Sequence, residues 1–364
     1  PQLGSVPIRQ IFSSSGSVGT VLTRAASEID NEVRDEFNLS ATWQSSRFQA
    51  ALKLYQRTTS NLQQTRYVFG LPQMDPVLTS NGQMRARGVE LQLSYTVSES
   101  ERSRWNTTLV AHGQRSVLTE QLEVFTSIEG NLGAPGNSDV NIVRLAEGEA
   151  VGQFWGPVYT GISANGTPTF ADLNNDGDVI SDPWTWLDEN TDMQVLGSGL
   201  PAWELGWSNQ WTFGSWSVQA MLRSTLGHSL ANLNRFFYET DVSTLRESNN
   251  VATELRVPGL TTSQFSSLYV EKANFVKLDN VSVAKRFALG QSKRYLTLSL
   301  AGHNLLVWTN YTGPNPEPVL TDSGPATNGE PIGQQVMNFV SPGIDRRYTY
   351  RPARMVVLGV CLGL

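Results

Sequence analysis

The chain has 364 residues, of which 39% are hydrophobic and only 16% charged, so its polarity rests on Ser, Thr, Asn and Gln. A formal charge of −6 argues against a nucleic-acid partner, and 10 Trp, 10 Tyr and 14 Phe supply too much buriable surface for a disordered chain. The single cysteine, Cys361, excludes an internal disulfide framework and a multi-cysteine zinc site, while three histidines leave little for His-based metal catalysis.

The dominant pattern along the chain is alternation with period two, which marks strands with two unlike faces. Phe37, Leu39, Ala41 and Trp43 alternate with Asn38, Ser40 and Thr42. Val89, Leu91, Leu93, Tyr95 and Val97 repeat the pattern against Glu90, Gln92, Ser94 and Thr96. Further rows are Trp203, Leu205, Trp207, Trp211 and Phe213; Trp216, Val218, Ala220 and Leu222; Leu296, Leu298 and Leu300; and Val356, Leu358, Val360, Leu362 and Leu364. Nine strands are predicted, over 37–44, 47–56, 84–97, 104–115, 202–213, 216–227, 273–287, 293–306 and 352–364. Between Leu278 and Val281 the parity slips by one, as a β-bulge would make it. Residues 17–24 fit either a tenth strand or a loop.

The connections alternate between short turns (45–46, 98–103, 214–215, 288–292) and long segments (57–83, 116–201, 228–272, 307–351). Outer-membrane barrels show this asymmetry, with tight turns at one rim and extended loops at the other. Trp43, Phe48, Tyr95, Trp105, Trp211, Phe213, Trp216, Phe287 and Tyr295 flank the short turns, where an aromatic girdle would lie. Ten residues rising about 3.3 Å each at a tilt of about 45° span roughly 23 Å, close to the apolar band of such a barrel. Lys53, Glu90, Glu204 and Arg223 all fall on the polar face, which predicts a wet interior and a lipid-facing exterior. No run of about 18 apolar residues exists to form a spanning helix. The chain opens Pro-Gln-Leu-Gly, without Met or a signal peptide, and reads as a fragment or processed product.

Several motifs carry a family resemblance. Gly82-Gln83-Met84-Arg85-Ala86-Arg87-Gly88-Val89-Glu90 is similar to a Gly-x-Met-x-Asn-x-Gly-Val-Glu strand. Pro168-Thr169-Phe170-Ala171-Asp172 through Gly177 resembles an Asp-x-Asn-x-Asp-Gly loop and its approach. Leu196-Gly197 through Pro201 and Gly206, Phe275 to Val283, Gly302-His303-Asn304-Leu305-Leu306, Thr309 to Glu317, and Tyr350-Arg351-Pro352-Ala353-Arg354 follow in the same order. Together they resemble the C-terminal part of a SusC/RagA-type TonB-dependent outer-membrane receptor. The resemblance implies an all-β, antiparallel transmembrane β-barrel, the C-terminal part of a 22-stranded one, with residues 1–364 lacking the plug domain and the TonB box. It further implies import of oligosaccharides or peptides across a bacterial outer membrane. The implied partners are a SusD-like lipoprotein, outer-membrane lipid, and TonB through an upstream region. No enzymatic activity is expected. Two other readings compete: a soluble or surface-attached β-sandwich that binds glycans, and a structural outer-membrane barrel component.

Asp172, Asn174, Asp176 and Asp178 place oxygens at every second residue around Gly177, as a Ca²⁺ loop does, with Asp182 as a candidate further ligand near the place of the twelfth-position Glu. Asp188 and Glu189 are alternatives, and an Asx-rich turn satisfied by its own backbone is the competing reading. No other cofactor is expected. Trp155, Tyr159, Trp184 and Trp186 are expected to pack the longest loop more than to stack on sugars. Arg346, Arg347, Arg351 and Arg354 could meet lipid phosphates, but a solvated loop end is the plainer expectation. His303 beside Asn304 lacks the serine elbow of a hydrolase, and Asn304 is read as a turn residue.

Overall fold

A computed structural model describes residues 30–68, 75–120, 127–132, 140–181, 191–240, 254–290, 294–320, 342–346 and 349–363, together with short strands within 8–25. The period-two rows become the strands of one antiparallel meander: β1 (Val33–Gln44), β2 (Phe48–Val68), β3 (Asp75–Glu99), β4 (Ser103–Glu120), β5 (Trp203–Phe213), β6 (Trp216–Leu226), β7 (Phe275–Ala288), β8 (Tyr295–Thr309) and β9 (Met355–Gly363). Each strand pairs with its neighbour in sequence, and the two-residue strand Arg24–Ala25 joins as a tenth by pairing parallel with β3. All nine predicted strands are present. The main difference lies between β2 and β3, where a predicted long connection is largely strand. There the Ser, Thr and Gln run continues the ladder past the apolar rows, with register shifts at Ser60/Leu62 and Leu62/Gln64.

Residues directly opposite in an antiparallel pair share a face. Leu39 therefore lies with Leu54, Leu54 with Val89, Leu91 with Ala111, Trp207 with Leu222, Val218 with Val283, and Leu300 with Leu358. These residues make one continuous apolar face, and among the described residues no second layer covers it. Phe37, Val356 and Leu358 keep 69%, 70% and 76% of their surface exposed. A sandwich would bury these rows, so the β-sandwich reading fails on this observation. A bare apolar wall with a polar reverse side is the pattern of a membrane barrel.

The predicted girdle is present at the short-turn end. Trp43 and Phe48 rings are 5.2 Å apart, Trp105 opposes Trp211, and Trp211 stacks on Phe213 at 5.8 Å. Lys285 lays its ammonium 4.6 Å from the Trp216 ring, as a long cation does at an interface. A second aromatic set, Phe37, Trp203 and Trp308, is exposed toward the opposite end of the strands. The parity slip is also found. The β7–β8 register shifts between Leu278 and Asn280, leaving Asp279 unpaired at a bulge.

The buried core of the molecule lies outside the wall, in the long connections. A four-stranded sheet orders Met193–Ser198, Gln153–Pro157, Asn141–Leu145 and Ser127–Asn131 side by side. Beside it, Ser229–Asn232 pairs antiparallel with Val270–Lys272 and parallel with Ile344–Asp345. Ile142, Val143, Phe154, Leu233, Phe236, Tyr269 and Ile344 are buried together between them. The long connections thus carry a core of their own. Gly199 lets two segments of this cap touch, since a Cβ there would sit 2.1 Å from the Pro342 carbonyl oxygen.

Gly88 of the Gly-Val-Glu motif has a comparable steric role within the wall. Tyr55 lies flat across it, and a Cβ at Gly88 would come within 2.4 Å of the ring. Gly88→Val is therefore expected to displace Tyr55 and cost about 1–3 kcal/mol, the usual penalty of overpacking. The intact protein should lose its folded electrophoretic band at a lower temperature, and Tyr55→Ala in the same chain should restore much of the loss. A G88V variant as heat-resistant as the parent would disprove this role.

Candidate functional site: the lumenal face and its cap

On the polar face, Ser40, Lys53, Glu90, His112, Glu204 and Thr225 form one row across six strands. Opposite charges alternate along it. Lys53 Nζ is 3.5 Å from Glu90 Oε1, and His112 Nδ1 is 3.4 Å from Glu204 Oε2. His112 Nε2 lies 3.0 Å from the hydroxyl of Tyr55, which reaches it by crossing Gly88. One assignment satisfies both contacts: Nδ1–H donates to Glu204 and Nε2 accepts from Tyr55. The row lines a concave recess of about 570 Å³. The four charges predicted for the polar face all lie there, since Arg223 shares the parity of Thr225 one pleat below.

Arg223 belongs to a second cluster where wall meets cap. Its Nε donates to Asp279 Oδ2 at 2.7 Å and its Nη2 to Glu317 Oε1 at 2.8 Å. Buried Lys277 gives its ammonium to Glu317 at 2.8 Å and to Asp279 at 3.3 Å. The bulge at Asp279 aims its carboxylate at both cations, a common use of an unpaired strand residue. Burial pushes the Glu317 carboxyl up, but the hydrogen bonds from Lys277 and Arg223 outweigh it and hold it below the ordinary range. The same connection is tied down elsewhere. His228, whose pKa burial lowers, donates Nε2–H to the Pro316 carbonyl at 2.8 Å. Glu271 accepts from the Thr312 backbone N–H at 2.9 Å and from buried Arg235 at 3.0 Å. The Tyr311 hydroxyl donates to Asp345. The motif from Thr309 to Glu317 is thus a set of anchors. Sequence reasoning saw the motif without its partners, and the one local signal was the Lys-x-Asp spacing at the parity slip.

The Asx-rich loop holds itself. Asp172 accepts backbone N–H bonds from Asn175 at 2.6 Å and Gly177 at 3.0 Å, Asn174 from Asp176 at 2.9 Å, and Asp176 from Asp178 at 2.9 Å. Asn175 and Gly177 sit at φ 61° and 94°, the left-handed region that Asn and Gly tolerate. Asp182, Asp188, Glu189, Trp184 and Trp186 lie outside the described residues. Among the described residues, no three His, Cys, Asp or Glu side chains converge as metal ligands. Buried Asp192 ties the loop's ends together by accepting from Leu173 N–H at 2.6 Å and Ile180 N–H at 2.8 Å. Those N–H groups, Ile180 foremost, lower its pKa. Its place after the loop gave no signal in the sequence.

Other candidates have local roles. Trp155 stacks under the Arg144 guanidinium at 4.0 Å within the cap. Arg346 is buried and donates to the Leu132 carbonyl, so it faces no lipid, whereas Arg351 and Arg354 are exposed. Arg347 lies outside the described residues. Asn304 takes φ 54° within β8 and donates to the Ala353 carbonyl, while His303 lies 3.0 Å from the Asn280 amide.

No family model matches the chain. Two curated relatives from Formosa agariphila do: TonB-dependent receptor P3, 25% identical over 48% of this chain and 19% of its own length, and TonB-dependent receptor P26, 23% identical over 77% and 30%. The chain therefore spans less than a third of these relatives. Among solved structures it is similar to the RagAB peptide transporter, with a TM-score of 0.73 at 18% identity, covering 98% of this chain and 38% of that one. The open-open state of the RagAB peptide importer gives 0.71 over 99% of this chain and 38% of that one, again at 18% identity. The fold is that of part of the wall of the RagAB barrel, and the relatives similar in sequence are TonB-dependent receptors of the outer-membrane barrel type. As a barrel of this kind it belongs in a bacterial outer membrane, and its bare apolar rows face lipid.

The depressed Glu317 carboxyl fixes the pH sense of the wall-to-cap anchor. A lowered folded pKa stabilises above the unfolded carboxylate value of about 4.3, and that contribution is lost as pH falls through the lower folded value. Cleavage of the 310–320 connection by an acid-active protease is expected to stay slow at pH 5 and accelerate below about pH 4. Glu317→Gln should accelerate cleavage several-fold at neutral pH. Equal rates for the two proteins at neutral pH would show that the anchor does not hold the connection.

Proposed function

We propose that the intact protein imports oligopeptides or oligosaccharides across the outer membrane, driven by TonB through a segment outside this sequence. The observation that carries this reading is the combination of an uncovered apolar wall with a charged row that lines a recess on its other face. A purely structural barrel has no need of the alternating charges of Lys53, Glu90, His112 and Glu204 around an open recess. The relatives' names, as receptors, and the neighbours' titles, as a peptide transporter, support the same class and favour peptides. A SusD-like lipoprotein seated on the cap is the partner we infer, because the cap presents a preformed, cross-linked surface. The test is uptake of labelled oligopeptides and oligosaccharides too large for porins. Cells carrying the full receptor should accumulate one class, and loss of either the receptor or TonB should abolish it. Unchanged uptake after both losses would favour the structural component.

Calcium at Asp172, Asn174, Asp176, Asp178 and Asp182 is a further proposal, with a stiffening role in the longest loop. Ca²⁺ at about 1 mM, the range of extracellular modules, should then slow proteolysis within this loop, and Asp172→Asn should remove the protection. Protection by Asx turns alone would leave the cleavage rate independent of Ca²⁺.

A further inference from the structure

Arg87 on β3 and Arg115 on β4 are direct cross-strand partners, and both are exposed. They share a ladder row with Gln56 and Phe37. Side chains so placed have Cβ atoms about 4.5–5.5 Å apart, and like charges there are destabilising. Strand parity turns both outward with Val89, Leu91, Leu109 and Ala111, away from the lumenal charges. Arg85 follows one pleat further on the same face, and its Nε is buried without a hydrogen-bond partner. Among the described residues Arg87 donates to Gln56 Oε1 at 2.7 Å, and no carboxylate pairs with any of the three. Two acids share that face, Asp35, separated from Arg85 by Thr58 of β2, and Glu120, opposite Gln83 one pleat beyond Arg85, and neither forms an ion pair with the three arginines.

The height of this row matters as much as its charge. From Tyr95 in the short-turn girdle to Arg87 is eight residues along β3, about 26 Å along the strand and roughly 19 Å along the membrane normal at a tilt near 45°. Arg85 lies roughly 5 Å higher, so the cluster meets the top of an apolar band about 25 Å tall. Phe37 closes the row at one end, and Trp203 lies over Gly113 one pleat below. Such rings belong at headgroup level. Two guanidinium forks at that depth match a phosphate, which would turn their repulsion into paired charge-assisted hydrogen bonds.

We propose that Arg87 and Arg115, with Arg85 beside them, bind the phosphate of an outer-leaflet lipid. The inference rests on the outer-membrane placement and is independent of cargo. The full-length receptor, delipidated in a neutral detergent, is heated with bisphosphorylated lipid A, with dephosphorylated lipid A, or with inorganic phosphate. The phosphorylated lipid should raise the unfolding temperature by several degrees and the other two should not. R87Q/R115Q should lose at least half of that shift and retain at least threefold less lipid A by native mass spectrometry, while R104Q, near the short-turn rim, should behave as the parent does. An equal shift with dephosphorylated lipid, or a double variant that keeps the whole shift, overturns the proposal. A full shift from inorganic phosphate alone also overturns it, in favour of a free-anion site. Should the double variant fail to insert, the comparison of the two lipids on the parent decides.

Discussion

Backbone hydrogen bonding without water governs this chain. In hydrocarbon each unpaired N–H or C=O costs several kcal/mol, so a spanning segment must satisfy its backbone within the protein. The meander from β1 to β9 does this strand by strand, each ladder running between neighbours in sequence. Its two outermost edges have no partner among the described residues, so in a membrane they require further strands. The 38% coverage of the RagAB chain agrees, because the likeness spans part of a larger barrel wall. Once the backbone is fixed in this way, the side chains have two directions to point, and the chain uses one for lipid and the other for water.

That division explains why the hydrophobic core is displaced. The wall has no core of its own, since its apolar side chains are solvated by lipid and its polar ones face the lumen. Burial of the ordinary kind begins only where the strands leave the membrane, around Phe154, Phe236, Tyr269 and Ile344. The cap is built like a small soluble domain, with its own sheets, a short helix and a buried Arg235 satisfied by Glu239, Glu271 and backbone carbonyls. Those bonds offset the desolvation that burying such a cation costs.

The wall was legible in the sequence because lipid on one side and water on the other impose strict alternation. Phe37–Trp43 or Val356–Leu362 can be read residue by residue, and even the slip near Leu278 showed as a broken parity. The cap was not legible, because its strands are short and buried on several sides, so no two-residue period survives in Asn141–Leu145 or Ser229–Asn232. The β2–β3 extension was missed because Ser, Thr and Gln carry the ladder without an apolar row to announce it. In the candidate site, the lumenal charges followed from parity. Glu317 and Asp192 did not, because their partners lie 40 and 94 residues away in one case, and in the other are backbone groups 12 and 19 residues off.

The bulge at Asp279 joins these two regimes. A regular strand would keep β7 in one parity to its end, with each side chain committed to lipid or lumen. Leaving Asp279 outside the ladder shifts the register so that Lys277 turns inward, while Val276 opposite Trp308 turns outward. Lys277 can then share Glu317 with Arg223, and the connection that carries Glu317 is held against the wall at the rim of the lumen. A long loop closes at a cost that rises only slowly with length, so its position must come from specific anchors of this kind. One unpaired residue thus helps fix the connection to the polar side of the wall, and it does so without putting a charge on the lipid side.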